Sequence, residues 1–501
     1  MTDDPVRKVV IVGGGTAGWM AAAALSRLTP VDVTLVESEV IGTVGVGEAT
    51  IPAIRLFNSA LGLDEAEFLG ETKGSYKLGI AFDGWMGEGT RYMHAFGPVG
   101  HAHGLLPFYQ YWLRAHHAGQ AEPFGAYSLN ETAAWALRVQ GKGGSSPVAI
   151  PYAFHFDAAL YAGLLRRHAE AAGAIRVEGV VAEVERDADD GGIARVRLAD
   201  GRTVAGDFFI DCTGFRSLLI EAVAPGEFMD WSEWLPCDSA WAVPCATRGA
   251  FTPYTKATAR EAGWQWRIPL QHRIGNGYVF CSRFIDDDKA RDTLLANLDG
   301  PPEAEPRLIR FTTGTRQRHW VGNCLALGLA AGFMEPLEST SIHLVQSSIA
   351  RLLQMFPARR EETALAAEFN REAAFEWSHI RDFLVLHYWA NARQGQPFWD
   401  ERRAMTLPDT LRERIDMFRD SAFINRKHEE LFTVEGWSQV LIGQAVLPDR
   451  YNPLADALGD AELTQMLERI VRRNKEQAAA MPLHVAALMQ AVAPPQTRKT
   501  A

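Results

Sequence analysis

Gly13, Gly15 and Gly18 fall in the spacing G-x-G-x-x-G directly after the apolar run VVIV. The first glycine permits a tight turn, the second lets a pyrophosphate approach the backbone, and the third lets helix and strand pack closely. Thr16 and Ala17 complete that loop. Glu37 follows Gly18 by 19 residues, at the end of a second strand-like run, where a carboxylate can accept from ribose hydroxyls. The chemistry is dinucleotide binding, which FAD and NAD share. Three later segments favour FAD: VGVGEATIP (residues 44–52, with Gly47, Glu48, Ala49 and Thr50), DFFIDCTGF (207–215) and LALGLAAGF (325–333, with Gly328 and Leu329). The first is a glycine-interrupted loop just after Glu37, and the other two bring a glycine-containing, small-residue turn back from distant parts of the chain, as FAD proteins do.

A second cluster is GWQWRIPL (263–270). In an extended strand Trp264 and Trp266 share one face, and Gln265 and Arg267 point the other way. The octapeptide alone reads as a core strand, because aromatics are enriched in strands and pack there.

The elements that must position these residues are legible around them. RKVVIV (7–12) is a buried-strand run, WMAAAALSRL (19–28) has helix-forming composition, and VDVTLVE (31–37) is a second strand, giving a βαβ opening. Residues 176–214 read as short strands joined by Asp-Gly turns and ending in a buried strand. Beyond Pro357 the pattern turns helical, and APPQTRKTA reads as a frayed tail.

The chain is an α/β composite of 501 residues, with 47% hydrophobic and 22% charged residues, enough for two or three packed units. A net charge of -11 argues against nucleic acid or an anionic membrane surface as partner and suits a small substrate. The five cysteines are scattered without ligand spacing, so they are read as reduced, with no metal site. Residues 9–25 carry no charge, but four glycines interrupt them, and a cytoplasmic location is the default.

GGGTAGW, GVGEAT, YKLGI, HAF, FHFD, WQWRIP and EPLEST together resemble the flavin-dependent halogenases, in particular the tryptophan and indole branch. The W-x-W-x-I-P element is the most family-specific of them. The resemblance implies an FAD-binding Rossmann-like, flavin-monooxygenase-like fold with an interleaved, largely helical substrate part. The expected FAD module comprises residues 1–85, 150–225 and 300–357, and the substrate part 86–149, 226–299 and 358–490, with 491–501 a flexible tail. It further implies FADH2 from a separate NAD(P)H-dependent flavin reductase, O2, and a halide, bromide or chloride, converted to hypohalous acid that passes through a tunnel to a small aromatic substrate. A homodimer is left open.

Lys77 and Glu338 match the family's essential lysine and glutamate, although a lysine taken alone is a solvated one. EPLEST opens a stretch whose apolar positions Ile342, Val345, Ile349, Leu352, Leu353 and Phe356 recur at helical spacing, with Ser339 or Thr340 as N-cap. A helix start offers free N–H groups to an anion. The resemblance puts the halide on the amides of Thr340 and Ser341, where the family usually has glycine; that departure leans the site toward bromide. His94 and Phe96 match the indole platform, and Trp264 and Trp266 become gatekeepers that keep an organic substrate from the flavin. Trp437 and Ser438 stand where the tryptophan branch has two tyrosines, and Gln444 where it has the glutamate that grips the ammonium. Loss of that charge favours free indole or a simple indole derivative over L-tryptophan. The alternatives are an L-tryptophan halogenase, an FAD-dependent aromatic hydroxylase (which commonly has Gly-Asp where this chain has Gly328-Leu329), and a flavin-binding module without turnover.

Overall fold

A computed structural model describes residues 5–40, 47–141, 149–360, 362–427 and 429–493. The chain divides into two compact units, one of residues 1–63, 157–239 and 309–381, the other of 64–156, 240–308 and 382–501. Residues 64–85, which the sequence groups with the FAD module, fall in the second unit. Of the glycine-interrupted segment, residues 44–46 lie outside the described residues, as do residues 494–501 of the tail.

The first unit is built on a six-stranded sheet, in the order Trp320–Val321, Cys324–Ala326, Phe208–Asp211, Lys8–Val12, Asp32–Glu37 and Ile175–Glu178. All pairings are parallel except the edge pair Trp320–Val321 with Cys324–Ala326. Central strands of a parallel sheet are covered on both faces, and Val9, Val10, Ile11 and Val12 are accordingly all buried. The Ala-rich helix Thr16–Leu28 buries Gly18 to Leu25 and closes the βαβ opening, starting three residues before the expected limit and ending at it. Residues 176–214 form the expected short strands, with the Asp200-Gly201 turn held by Gly201 at φ +89°.

Parallel strands bring their C-terminal ends to one edge of the sheet. Gly13, the turn after Asp211 and Gly328 therefore gather there. The helix Ser341–Gln354 packs on Thr16–Leu28 and on the turn Gly328–Ala330, so its start belongs to this unit.

The second unit contains a mixed sheet in the order Ser239–Cys245, Ile274–Phe280, Gly263–Pro269, Thr255–Arg260, Gly79–Asp83 and Arg91–Ala95. Helices follow, among them Phe108–His117, Asp409–Ser421, Val434–Gly443 and Asp460–Ala480. Among the described residues no helix is long and apolar enough to cross a membrane, and no His, Cys, Asp and Glu cluster could hold a metal. All five cysteines are free thiols, four of them buried.

Candidate active site

The glycine turn fits a dinucleotide. Gly13 has φ +116°, and a Cβ on it would stand 2.1 Å from the Cys212 carbonyl oxygen. A Cβ on Gly18 would stand 1.9 Å from the Gly13 carbonyl oxygen, so both positions exclude a side chain. Gly15 differs: a Cβ there meets nothing within 4 Å, which leaves open space over its backbone. Gly15 is also the N-cap of Thr16–Leu28, and no side chain caps that helix. The first-turn amides are thereby left for an anion, which is what a pyrophosphate requires.

Glu37 lies beside this turn, its Oε2 accepting from Trp19 Nε1 at 3.3 Å and its Oε1 from Arg176 Nε at 2.5 Å. The Arg176 guanidinium thus fixes the carboxylate expected on the ribose. The third segment arrives through Gly328, at φ +61°, where a Cβ would stand 2.9 Å from Ala17 Cβ. Leu329 follows in the turn Gly328–Ala330, and Arg316 Nε donates to the Ala330 carbonyl at 2.8 Å. Asp211 organises the second segment by accepting from the amides of Thr213, Leu219 and Ile220 and from the Thr213 hydroxyl. Gly47, Glu48 and Ala49 form a short strand, and Thr50 is buried after it. Burial pushes the Glu48 carboxyl up to about 7.

Glu338 ends the turn Pro336–Glu338 and is 1% exposed. Ser339 then adopts the left-handed conformation (φ +59°), a departure costing about 1 kcal/mol for a residue with a Cβ. The helix begins at Ser341 and buries Ile342, Val345, Ile349 and Leu352 as their spacing predicts, whereas Leu353 is half-buried and Phe356 lies beyond the helix end at Gln354. Thr340 holds the N-cap position, but the expected capping bond is not made. With φ −91° and ψ −10° Thr340 is already helical, whereas a capping side chain needs an extended backbone to swing over the next amides. Its Oγ1 is buried without a hydrogen-bond partner. An uncapped helix start and a spare buried hydroxyl are the donors a halide needs.

Two residues past Ser341 along the chain, at His343, a buried polar cluster begins that ties this helix to Thr363–Trp389. Glu376 accepts from His343 Nε2 at 3.0 Å, Ser347 Oγ at 2.9 Å and Arg351 Nη2 at 3.0 Å. Burial opposes ionisation of Glu376, but the bonds from His343 and Arg351 prevail and hold its carboxyl down at about 2.

In the second unit Lys77 ends the strand Ser75–Lys77 and is fully buried. The solvated lysine expected from residue type alone is not what the fold contains. Its Nζ stands 5.2 Å from the centroid of the Phe96 ring, so lysine and platform residue are brought together. Burial first, and the neighbouring Lys77 charge second, drive His155 well below its ordinary pKa, so this imidazole stays neutral between Ser75 Oγ and Thr255 Oγ1. His94 is buried, with its ring 5.4 Å from Phe383 and 6.0 Å from Phe432.

Trp264 and Trp266 are 1% and 6% exposed, and their ring centroids lie 6.2 Å apart. They share a face as the alternation predicts: Gln265 turns to Arg260, and Arg267 to Asp299 and Thr252. Gly277, opposite Trp266 in the ladder, makes room for it, since a Cβ there would stand 2.1 Å from the indole. Trp437 is buried inside its helix packing, edge-on to Phe383 at 4.7 Å and under the Arg414 guanidinium at 4.0 Å. Gln444 is 2% exposed and donates through Nε2 to the His387 carbonyl at 2.8 Å. The NH2 half of its amide is thus engaged with a backbone oxygen, while its Oε1 is buried without a hydrogen-bond partner. Asp211, Gly277 and Glu376 escaped sequence reasoning. Only Asp211 had a visible signal there, an acid at the end of a buried strand before a small-residue turn.

A parallel sheet with three glycine turns at one edge, an uncapped helix start ready for an anion, and a buried lysine define an FAD-dependent oxidoreductase. The family model for tryptophan halogenases matches residues 8–460. The chain belongs to the tryptophan halogenase family and is a flavin-dependent halogenase. It is 38% identical over 442 residues to the tryptophan 7-halogenase RebH of Lentzea aerocolonigenes, covering 84% of this chain and 83% of that protein. Among solved structures it is similar to Xcc4156, a flavin-dependent halogenase from Xanthomonas campestris (48% identity, TM-score 0.94, 98% of this chain and 100% of the other). It is also similar to BrvH, a flavin-dependent halogenase from Brevundimonas sp. BAL3 (42% identity, TM-score 0.93, 97% and 99%).

Proposed function

We propose that this chain halogenates indole or a simple indole derivative with bromide or chloride, taking FADH2 from a separate NAD(P)H-dependent flavin reductase. The observation that carries the reading is Lys77, an ammonium kept wholly out of solvent beside the aromatic ring of Phe96. A group so costly to bury is retained where chemistry uses it. Gly13, Gly15, Thr16, Ala17, Gly18, Glu37, Gly47, Glu48, Ala49, Thr50, Gly328 and Leu329 would hold FAD, which when reduced would activate O2 as the oxidant of the halide.

Each remaining role belongs to the protein. Thr340 and Ser341 hold the halide on their amides, and the unpartnered Thr340 hydroxyl adds a donor. The serine at 341 in place of glycine leans the site toward bromide. Lys77 hydrogen-bonds the hypohalous acid and directs its electrophilic halogen, while Glu338 accepts the proton the arene releases. His94 and Phe96 flank the indole ring. Trp264 and Trp266 act as gatekeepers that admit a halide and exclude organic molecules.

Free indole is preferred over L-tryptophan on this reading because Trp437, Ser438 and Gln444 carry no charge for the amino acid, and Gln444 is engaged at His387. A second reading, L-tryptophan as substrate, draws support from the names of the relatives, tryptophan 7- and 6-halogenases. Turnover of indole and tryptophan side by side, with each halide, separates the two. Halogenation of tryptophan at a higher kcat/KM than indole refutes the indole assignment.

A further inference from the structure

A cavity of about 170 Å³ in the second unit, small beside whole ligand pockets, has the size of a subsite. Its walls include Gly100, Phe108 and Phe124, and the helix Val434–Gly443 turns Glu435 and Ser438 into it. The same helix places Gly436 on its other face, where a Cβ would stand 3.0 Å from His94 Nε2, and bonds Gln439 to the backbone of Ala95 at 3.0 and 3.1 Å. The cavity therefore adjoins the strand Arg91–Ala95, which carries His94 and leads directly into Phe96.

Glu435 is the one carboxylate among the described lining residues, which include no lysine or arginine. Among the described residues no hydrogen bond or ion pair engages its side chain; only its backbone oxygen is used, accepting from Ser438 Oγ at 2.9 Å and Gln439 Nε2 at 3.2 Å. An aromatic-walled subsite with a single carboxylate, in which His101 is the one lining residue able to take up a positive charge, discriminates by charge. It attracts an ammonium and repels a carboxylate.

Resting on the indole reading above, we infer that Glu435 is a specificity-determining residue that receives the cationic end of a 3-substituted indole, so that an indolyl-alkylammonium without a carboxylate is preferred over a zwitterion or an acid. The ammonium donates to Glu435 and the aliphatic linker lies between the aromatic walls. In a zwitterion the adjoining carboxylate meets the same anion and is repelled by it. This supplies a grip that the tyrosine and glutamate positions, now Trp437, Ser438 and Gln444, do not offer.

The test is calorimetric binding of tryptamine, L-tryptophan and indole-3-propionate to the full chain loaded with FAD, for wild type, Glu435→Gln and Glu435→Lys. Tryptamine binds wild type at least about tenfold more tightly than indole-3-propionate, the equivalent of one charge-assisted hydrogen bond. Glu435→Gln removes the difference and Glu435→Lys reverses it, with folding checked by thermal melting. Equal affinities in wild type, or a preference that survives both substitutions, overturn the inference. Product mass with indole and bromide reports separately on the proposed function: brominated indole with no binding preference sinks only the role of Glu435, and a binding preference without any halogenated product sinks only the reaction.

Discussion

Substituting Glu376→Gln probes how the helix Ser341–Gln354, whose start is proposed to hold the halide, is itself held. The carboxylate is buried and ties His343, Ser347 and Arg351 of the helix Ser341–Gln354 to Thr363–Trp389. Its carboxyl is held at about 2 against an ordinary 4.5. At about 1.4 kcal/mol for each pH unit, the ionised form contributes about 3 kcal/mol to stability. The sign follows from a depressed carboxyl: the contribution is complete above 4.5 and is lost as pH falls through about 2. Glutamine keeps the shape and removes the charge, and Arg351 keeps Glu372 at 2.9 Å as a second partner. The expected loss is therefore about 3 kcal/mol at neutral pH, below the largest values for broken buried pairs. Urea unfolding, followed at neutral pH and at about pH 4, reads it. The gap between wild type and variant narrows by roughly 1 kcal/mol at the lower pH. A loosened helix start also raises the apparent KM for halide more than the KM for indole. A variant as stable as wild type at neutral pH, or a gap that widens in acid, refutes the reasoning.

Three further perturbations address other parts of the account. Gly277→Ala places a methyl 2.1 Å from the Trp266 indole without altering either tryptophan; overpacking costs about 1–3 kcal/mol, and the displaced gate raises FADH2 consumed per halogenated product. Unchanged coupling with a shifted indole in a crystal structure removes the gatekeeper role. Gln444→Glu sets a buried carboxylate against the His387 carbonyl; it lowers stability by about 2–4 kcal/mol at neutral pH, recovers as pH falls and the carboxyl protonates, and raises tryptophan turnover relative to indole by restoring the missing charge. No gain at all in that turnover removes residue 444 from the substrate grip. Lys77→Met and Glu338→Gln each lower halogenation by at least about 100-fold while FAD absorbance still co-purifies; halogenation near wild-type levels in either removes that residue from catalysis.

The parts of the fold legible in the sequence are those where local and global demands coincide. The opening βαβ unit is one: apolar runs, glycine spacing and an alanine-rich helix all require the same turn, and the structure shows each glycine excluded from a side chain by backbone or left open for a ligand. The alternation of GWQWRIPL was equally direct, because period-two sidedness does not depend on the partner strand. Residue type places Ser339 or Thr340 at the N-cap, and Thr340 holds that position, but the backbone angles that forbid its capping bond come from the preceding turn and the left-handed Ser339. Lys77 shows a similar limit, because composition places lysines in water and only the fold surrounds this one. Glu376, Gly277 and Glu435 acquire meaning through residues more than ten positions away or through an enclosed space, and single-sequence spacing carries no such information.

The most direct measurement is the mass spectrum of the product formed from indole by the full chain with FAD, a flavin reductase, NADH and bromide. The account predicts a mono-brominated indole showing the paired bromine isotope pattern. A hydroxylated indole without any halogen contradicts it.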